Sequence, residues 1–299
     1  MADRIRVFHS AHGAGNAPMA LGVAAGFFRD AGLKVVMQEI PRTGDAIGKL
    51  VEGECEFAVA GAVPIINAAL AGHDPLIVMS IESENVFGIV CARGLESPEQ
   101  LRGATIAISG KREQDDIIMR RALREWGIDP DSEVTFEVRE SRGKCWDAVF
   151  NGEVAAMTAT IPQPVLKDYI ELHEPYQAGA IVTTRRYADA NPDLVRRFLG
   201  GQLRAIRLFQ TDFDAALPHL KARSKLEDIE VLRETNRLFG LPLEHYVPNP
   251  LALAMVVKYL RAGYGEPVDV DVNSLIDASF AAELEGRPHP EPYRGELGT

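Results

Sequence analysis

The feature that most constrains this chain is a change of rhythm at Asn191-Pro192. Before it, short β-rich runs alternate with helical ones; after it, helical runs succeed one another directly. "RIRVFH" reads as a strand and "APMALGVAAGFFRDAG" as a helix of small residues ending at Gly32. "LKVVMQEI" is a strand, and "TGDAIGKLVEGE" is a helix with a capped start at Thr43-Gly44-Asp45. "CEFAVAG", "AVPIINAALAG" and "PLIVMSI" continue as strand, helix and strand. This β-α-β-α order predicts a parallel-rich sheet with helices on both faces.

A second series starts with the apolar strand "VFGIVCA" and the turn-rich "RGLESPEQLRG". It runs through the strand "ATIAIS" and the helix "REQDDIIMRRALREWG", which offers Ile117, Ile118, Leu123 and Trp126 for burial. Its charge run "RRALRE" reads as a solvated face. "SEVTFEVRE", "GKCWDAVFNGE", "VAAMTAT", a Pro162-started helix "PQPVLKDYIEL" and a last strand "AGAIVTTRRYA" follow. The helical portion opens with "PDLVRRFLGGQLRAIRLFQ" and continues near 213–222, 226–239, 250–263 and 272–284. The polar, proline-rich tail "GRPHPEPYRGELGT" reads as loosely held. A length of 299 residues suits two lobes better than one core.

Charge narrows the partners. With 32 basic and 43 acidic residues the net charge is −11, which disfavours nucleic acid and anionic lipid. The cysteines Cys55, Cys91 and Cys145 are odd in number and widely spaced, so they read as buried small hydrophobes. No metal-ligand spacing joins the histidines to carboxylates or cysteines, and neither metal nor cofactor is expected. No run is apolar enough for membrane insertion. "MADRIRVFHS" is unlike a signal peptide. The expectation is a cytoplasmic protein as written, or a periplasmic one if a leader has been removed.

Six stretches in order resemble one known fold: "GNAPMALGVAAGFFRDAGLKV", "LVEGECEFAVAGAVPIINAALAGHDPLIVMSI", "LESPEQLRGATIAISG", "ALREWGIDPDSEVTF", "DAVFNGEVAAMTATIPQPV" and "ANPDLVRRFLGGQLRAI". This is the α/β, two-lobed type II periplasmic-binding-protein-like fold. The branch is that of aliphatic sulfonate, taurine and nitrate binding proteins and the related thiamine-pyrimidine synthases. The resemblance implies a discontinuous lobe I (1–87 and 186–299), a lobe II (88–185), crossings near 86–92 and 180–187, and a ligand cleft between the lobes. It also marks departures. The synthases carry a histidine in the helix read here as "AVPIINAAL", and a cysteine-rich run; both are missing. The desulfinases of this fold carry a cysteine nucleophile in the loop read here as "SAHGAGN", which has none.

The resemblance places Ser10, His12 and Asn16 at the ligand, with Gly13 and Gly15 letting backbone N–H groups approach closely. His9, one residue before Ser10, reads as facing the sheet. In "PRTGD" the helix start at Thr43 and Gly44 suits an anion, and Arg42 adds a clamp for a carboxylate or sulfonate, or else is a solvated surface arginine. Gly61 and Ala62 offer backbone groups. Glu82 or Asn85 lies at the cleft floor, where an acid would favour a ligand with a donor group. From the second lobe come Ser109, Gly110, Lys111 or Arg112, and then Thr160 and Gln163.

Two functions fit these residues. One is a substrate-binding protein of the ABC-transporter type, closing on a small sulfonate, carboxylate or polar aromatic ligand and read by a permease or sensor if exported. The other is a cofactor-independent cytoplasmic lyase or hydrolase, such as an aromatic acid decarboxylase or a desulfinase-like enzyme. There His12 would be the general acid or base. The lack of a nucleophile, metal set or cofactor fingerprint favours binding.

Overall fold

A computed structural model describes residues 2–10, 16–84, 87–160, 175–224, 227–239, 245–264 and 268–295. The first series folds as β1 (Asp3–Ser10), α1 (Ala17–Ala24), α2 (Phe27–Asp30), β2 (Leu33–Ile40), α3 (Thr43–Val51), β3 (Phe57–Ala60), α4 (Ala62–Leu70) and β4 (Pro75–Glu84). The second folds as β5 (Phe87–Cys91), β6 (Thr105–Ile108), α5 (Gln114–Glu125), β7 (Thr135–Val138), α6 (Arg142–Phe150) and β8 (Ala156–Thr160). Then come β9 (Pro175–Thr184), α7 (Arg185–Ala190), α8 (Pro192–Thr211), α9 (Phe213–Ser224), α10 (Ile229–Phe239), α11 (Pro250–Tyr264) and α12 (Ser279–Glu285).

The strands make two sheets, ordered β2-β1-β3-β9-β4 and β5-β8-β6-β7. β1 is parallel to β2 and β3, and β6 is parallel to β7 and β8; β9 runs antiparallel between β3 and β4. Residues 180–184 of the expected crossing therefore lie inside the larger sheet, and 185–187 open α7. Ala180 pairs with both Ala60 and Ser80, so the backbone of β9 is fully used there. The chain changes sheet between Thr160 and Pro175 instead. The helix expected from Pro162 lies outside the described residues.

Packing explains two local surprises. The helix expected from Ala17 to Gly32 breaks at Gly26, whose φ of 80° is left-handed. The break lets Phe28 turn inward and stack on Phe198, with centroids 5.4 Å apart; Phe198 stacks in turn on Phe57 at 4.1 Å. The helix-interior Gly201, costly for a helix on propensity alone, makes room for that stack. A Cβ there would sit 2.6 Å from the Phe28 ring, and one at Gly22 would sit 2.6 Å from the Cβ of Ala205. On the sheet's other face, α3, α4 and α11 bury Ile47, Ile65, Ile66, Val256 and Val257.

At Tyr293 the tail is tied down more firmly than its composition suggests. Asn273 Nδ2 donates to the Tyr293 carbonyl at 3.1 Å, and Tyr293 N–H donates back to Asn273 Oδ1 at 2.8 Å. The stretch expected as one helix at 272–284 is a 3-10 turn (Val272–Leu275), a bridge of Ile276 to Ile77, and α12. Among the described residues no helix is long and apolar enough to cross a membrane.

Candidate functional site

In the larger sheet, α1, α3 and α4 begin just after the C-terminal ends of the parallel strands β1, β2 and β3. In the smaller one, α5 and α6 begin just after β6 and β7. Free N–H groups and positive helix ends therefore gather along one edge of each sheet. The two edges face each other. A Cβ at Gly44 would lie 3.3 Å from Glu113 Oε1, and one at Gly61 would collide with Gln114 Oε1 and come within 2.9 Å of the Ala178 carbonyl. The side chains leading into α5 thus reach the first turns of α3 and α4.

The expected residues fall in different positions along this seam. Gly61 and Ala62 are buried at the start of α4, and Thr43 and Gly44 open α3. Arg42 is half exposed and leans on Asp45, Nε to Oδ2 at 3.4 Å, which spends part of its charge. Asn16 is buried at the start of α1. His9 is buried at the end of β1, consistent with a side chain turned into the sheet. Ser109 differs from expectation. Its N–H and hydroxyl both donate to Asp115, to Oδ2 at 2.7 Å and Oδ1 at 3.0 Å, so α5 has already claimed the donors assigned to a ligand. Gly110 packs on Glu113, and Lys111 is exposed. His12, Asn85 and Gln163 lie outside the described residues, as do the side chains of Ser10 and Thr160.

Four residues that the sequence did not single out complete the seam. Glu113 and Gln114 reach across it, and Tyr176 stacks on Tyr259 at 5.8 Å. Arg142 opens α6 and lies over the Phe87 ring at 5.3 Å. Glu82 stands where the β4–β9 pairing is irregular, with Oε2 2.9 Å from where a Cβ of Gly179 would be. Burial pushes the Glu82 carboxyl up to about 7 against the pull of Arg142. Burial also raises Glu113, which feels Asp115 in the same direction and Arg142 and Arg42 in the other. Burial likewise pushes the Cys55 thiol up to about 12, which suits packing and not nucleophilic attack.

A second set of contacts locks the start of α5. The Tyr264 hydroxyl, at the end of α11, accepts from Arg112 N–H at 2.8 Å and donates to Asp116 Oδ2. Arg120 holds the other oxygen of Asp116 at 2.9 Å and reaches Asp131 at 2.5 Å. Arg120 is thus buried, contrary to the reading of "RRALRE" as solvated, because the buried Asp116 beside it requires a counter-charge. Arg112 itself carries a φ of 63°, and its guanidinium lies 4.8 Å from the Tyr264 ring centroid. A hollow of about 320 Å³ between α5 and α11 is lined by Arg121, Lys258 and Tyr259, away from the helix starts.

Known structures share this architecture. The nitrate-binding protein NrtA of Synechocystis PCC 6803 matches with a TM-score of 0.78 at 13% identity, covering 95% of this chain and 89% of that one. The alkanesulfonate-binding protein SsuA of Xanthomonas axonopodis pv. citri, bound to MOPS, matches at 0.67 and 21% identity, covering 95% and 99%. The aliphatic sulphonate binding protein SsuA of Escherichia coli matches at 0.69 and 18%, covering 96% and 100%. At such identities the likeness establishes the periplasmic-binding-protein fold. A search of curated protein sequences returned no match. The family described as NMT1/THI5 like matches residues 15–215, about two thirds of the sequence, and the chain belongs to that family.

Proposed function

We propose that this protein is the substrate-binding component of an ABC-type import system and takes a small organic anion between its two lobes. One lobe is built on the larger sheet, from the described residues of 2–84 and 175–295, and the other on the smaller, from 87–160. The observation that carries this reading is the facing of the starts of α3 and α4 by that of α5, with Arg42 and Arg142 near Glu113 at that start. Helix starts supply fixed N–H groups for an oxyanion, and a guanidinium adds a forked donor. The nitrate and sulfonate binders of the same fold support the anionic class. A permease partner and a periplasmic location belong to the same proposal. The lyase alternative rests on His12, and no observation favours it.

Calorimetric titration with nitrate, sulfate, short alkanesulfonates and short carboxylates tests the reading. One class should bind and be released unchanged, as followed by mass spectrometry. Arg142→Ala should weaken it by about 1.5–3 kcal/mol, the loss expected for a charge-assisted hydrogen bond. Consumption of the ligand, or protection from unfolding by cations alone, would overturn the proposal.

A further inference from the structure

We infer that the hollow between α5 and α11 is a second ligand site, built for a monocarboxylic acid with a ring-sized apolar body. Its occupant touches both lobes at once, because α5 belongs to the smaller lobe and α11 to the larger. Arg121 and Arg124 line it about two turns or more beyond Gln114, so the hollow is separate from the helix starts at the seam. Its volume of about 320 Å³ lies at the lower end of the range for small-molecule sites, which suits a single ring.

The ion pairs around the hollow decide the sign of the ligand. Arg121 Nε donates to Glu125 at 2.7 Å, and the guanidinium sits 4.1 Å from the Tyr259 ring centroid. Arg124 donates to Asp131 and to the Gly263 carbonyl, each at 3.3 Å. Asp131 is not for Arg124 alone, since Arg120 reaches it at 2.5 Å while also holding Asp116. The three arginines thus use up three carboxylates. Lys258, on the facing wall, has no ion pair among the described residues. One positive charge is left over, in a protein whose acids outnumber its bases by 43 to 32. A monoanion cancels it, and arginines already fixed by their acids can donate with little further ordering. The remaining lining is apolar, with Ile117 from α5 and Ala262 from α11 beside Tyr259, itself fixed by its stack on Tyr176 at 5.8 Å. Covering that surface rewards a ring over a bare carboxylate.

The test is calorimetric titration with benzoate and cyclohexanecarboxylate, against acetate, benzyl alcohol and benzylamine. Each ring acid should bind at least about tenfold tighter than any of the other three, which lack either the apolar body or the negative charge. Lys258→Ala should weaken the ring acids about tenfold, and Lys258→Arg should restore them. Ala262→Phe should abolish binding by filling the hollow. Lys258 and Ala262 are both exposed, so these variants should keep the dichroism of the parent protein. Arg142→Ala, at the seam, should leave ring-acid binding unchanged. Binding lost with Arg142→Ala but kept with Lys258→Ala would place the acid in the seam, which overturns this inference and supports the anion-binding reading. No binding of either ring acid, or binding matched by acetate, benzyl alcohol or benzylamine, would overturn it as well.

Discussion

The two sheets are stabilised in different ways. The larger is dry on both faces, with the Phe28–Phe198–Phe57 stack on one side and the α3, α4 and α11 residues on the other. The smaller has a thin cover. Met119 and Leu123 of α5 lie on one face, and Cys145, Ala148 and Val149 of α6 lie on the other. α5 serves both cores, because Ile117 and Ile118 join the cluster of the larger lobe. Beside them, the polar Tyr264–Asp116–Arg112 contacts pin the loop before α5. Where apolar area is short, a single helix shared between two cores supplies the continuity.

Phe198→Ala should have the largest effect, about 3–5 kcal/mol, because it empties the centre of the larger core. Both tryptophans, Trp126 and Trp146, lie in the smaller lobe, so their fluorescence follows that lobe alone. If α5 ties the lobes together, the fluorescence and far-ultraviolet dichroism of this variant will shift together in urea. Separate midpoints would break the comparison. Gly201→Ala should cost about 1–3 kcal/mol by overpacking against the Phe28 ring, read from the same curves.

A smaller effect comes from the seam acids in the ligand-free protein. The Glu82 carboxyl titrates near 7 when folded against an ordinary value of 4.5, so between those values the folded state holds the extra proton. Stability should therefore fall as pH rises through this window, by roughly 1–2 kcal/mol once partial exposure is allowed for, with Glu113 adding in the same direction. Glu82→Gln should flatten the profile. A profile that rises over the same window would show Glu82 stabilised in its ionised form. The smallest change is Tyr264→Phe, about 0.5–1.5 kcal/mol, since Asp116 keeps Arg112 N–H and Arg120. Here too the fluorescence and dichroism midpoints should move together, because α5 still joins both cores through Ile117 and Ile118.

Much of the fold was legible because patterns of period 2 and 3.6 are local. β1, α3, α4, α8 and α11 fall close to where alternation, caps and Pro192 or Pro250 put them. The sheet membership of β9 was not legible, since "AGAIVTT" is equally apolar for either sheet and only pairing decides. The helix starts at Thr43 and Gly61 were readable from Thr-Gly-Asp and from the small residues after β3. Arg142 and Glu113 were not, because each looks like an ordinary charged residue near a helix start. Only the facing of the two sheet edges brings them together. Arg120 was misread for a related reason: helical spacing marks faces, but the buried Asp116 beside it set its environment.

The three thiols have a practical consequence. Cys55 is buried in the larger lobe, while Cys91 and Cys145 lie in the smaller. Burial pushes all three thiols up to about 12, and Cys55 and Cys145, unlike the partly exposed Cys91, must open to water before a thiolate forms. Alkylation at neutral pH therefore becomes a clock for opening, with one hand on each lobe. Modification of Cys145 well before Cys55 would time the smaller lobe's excursions, and a ligand that bridges the seam should slow that hand most.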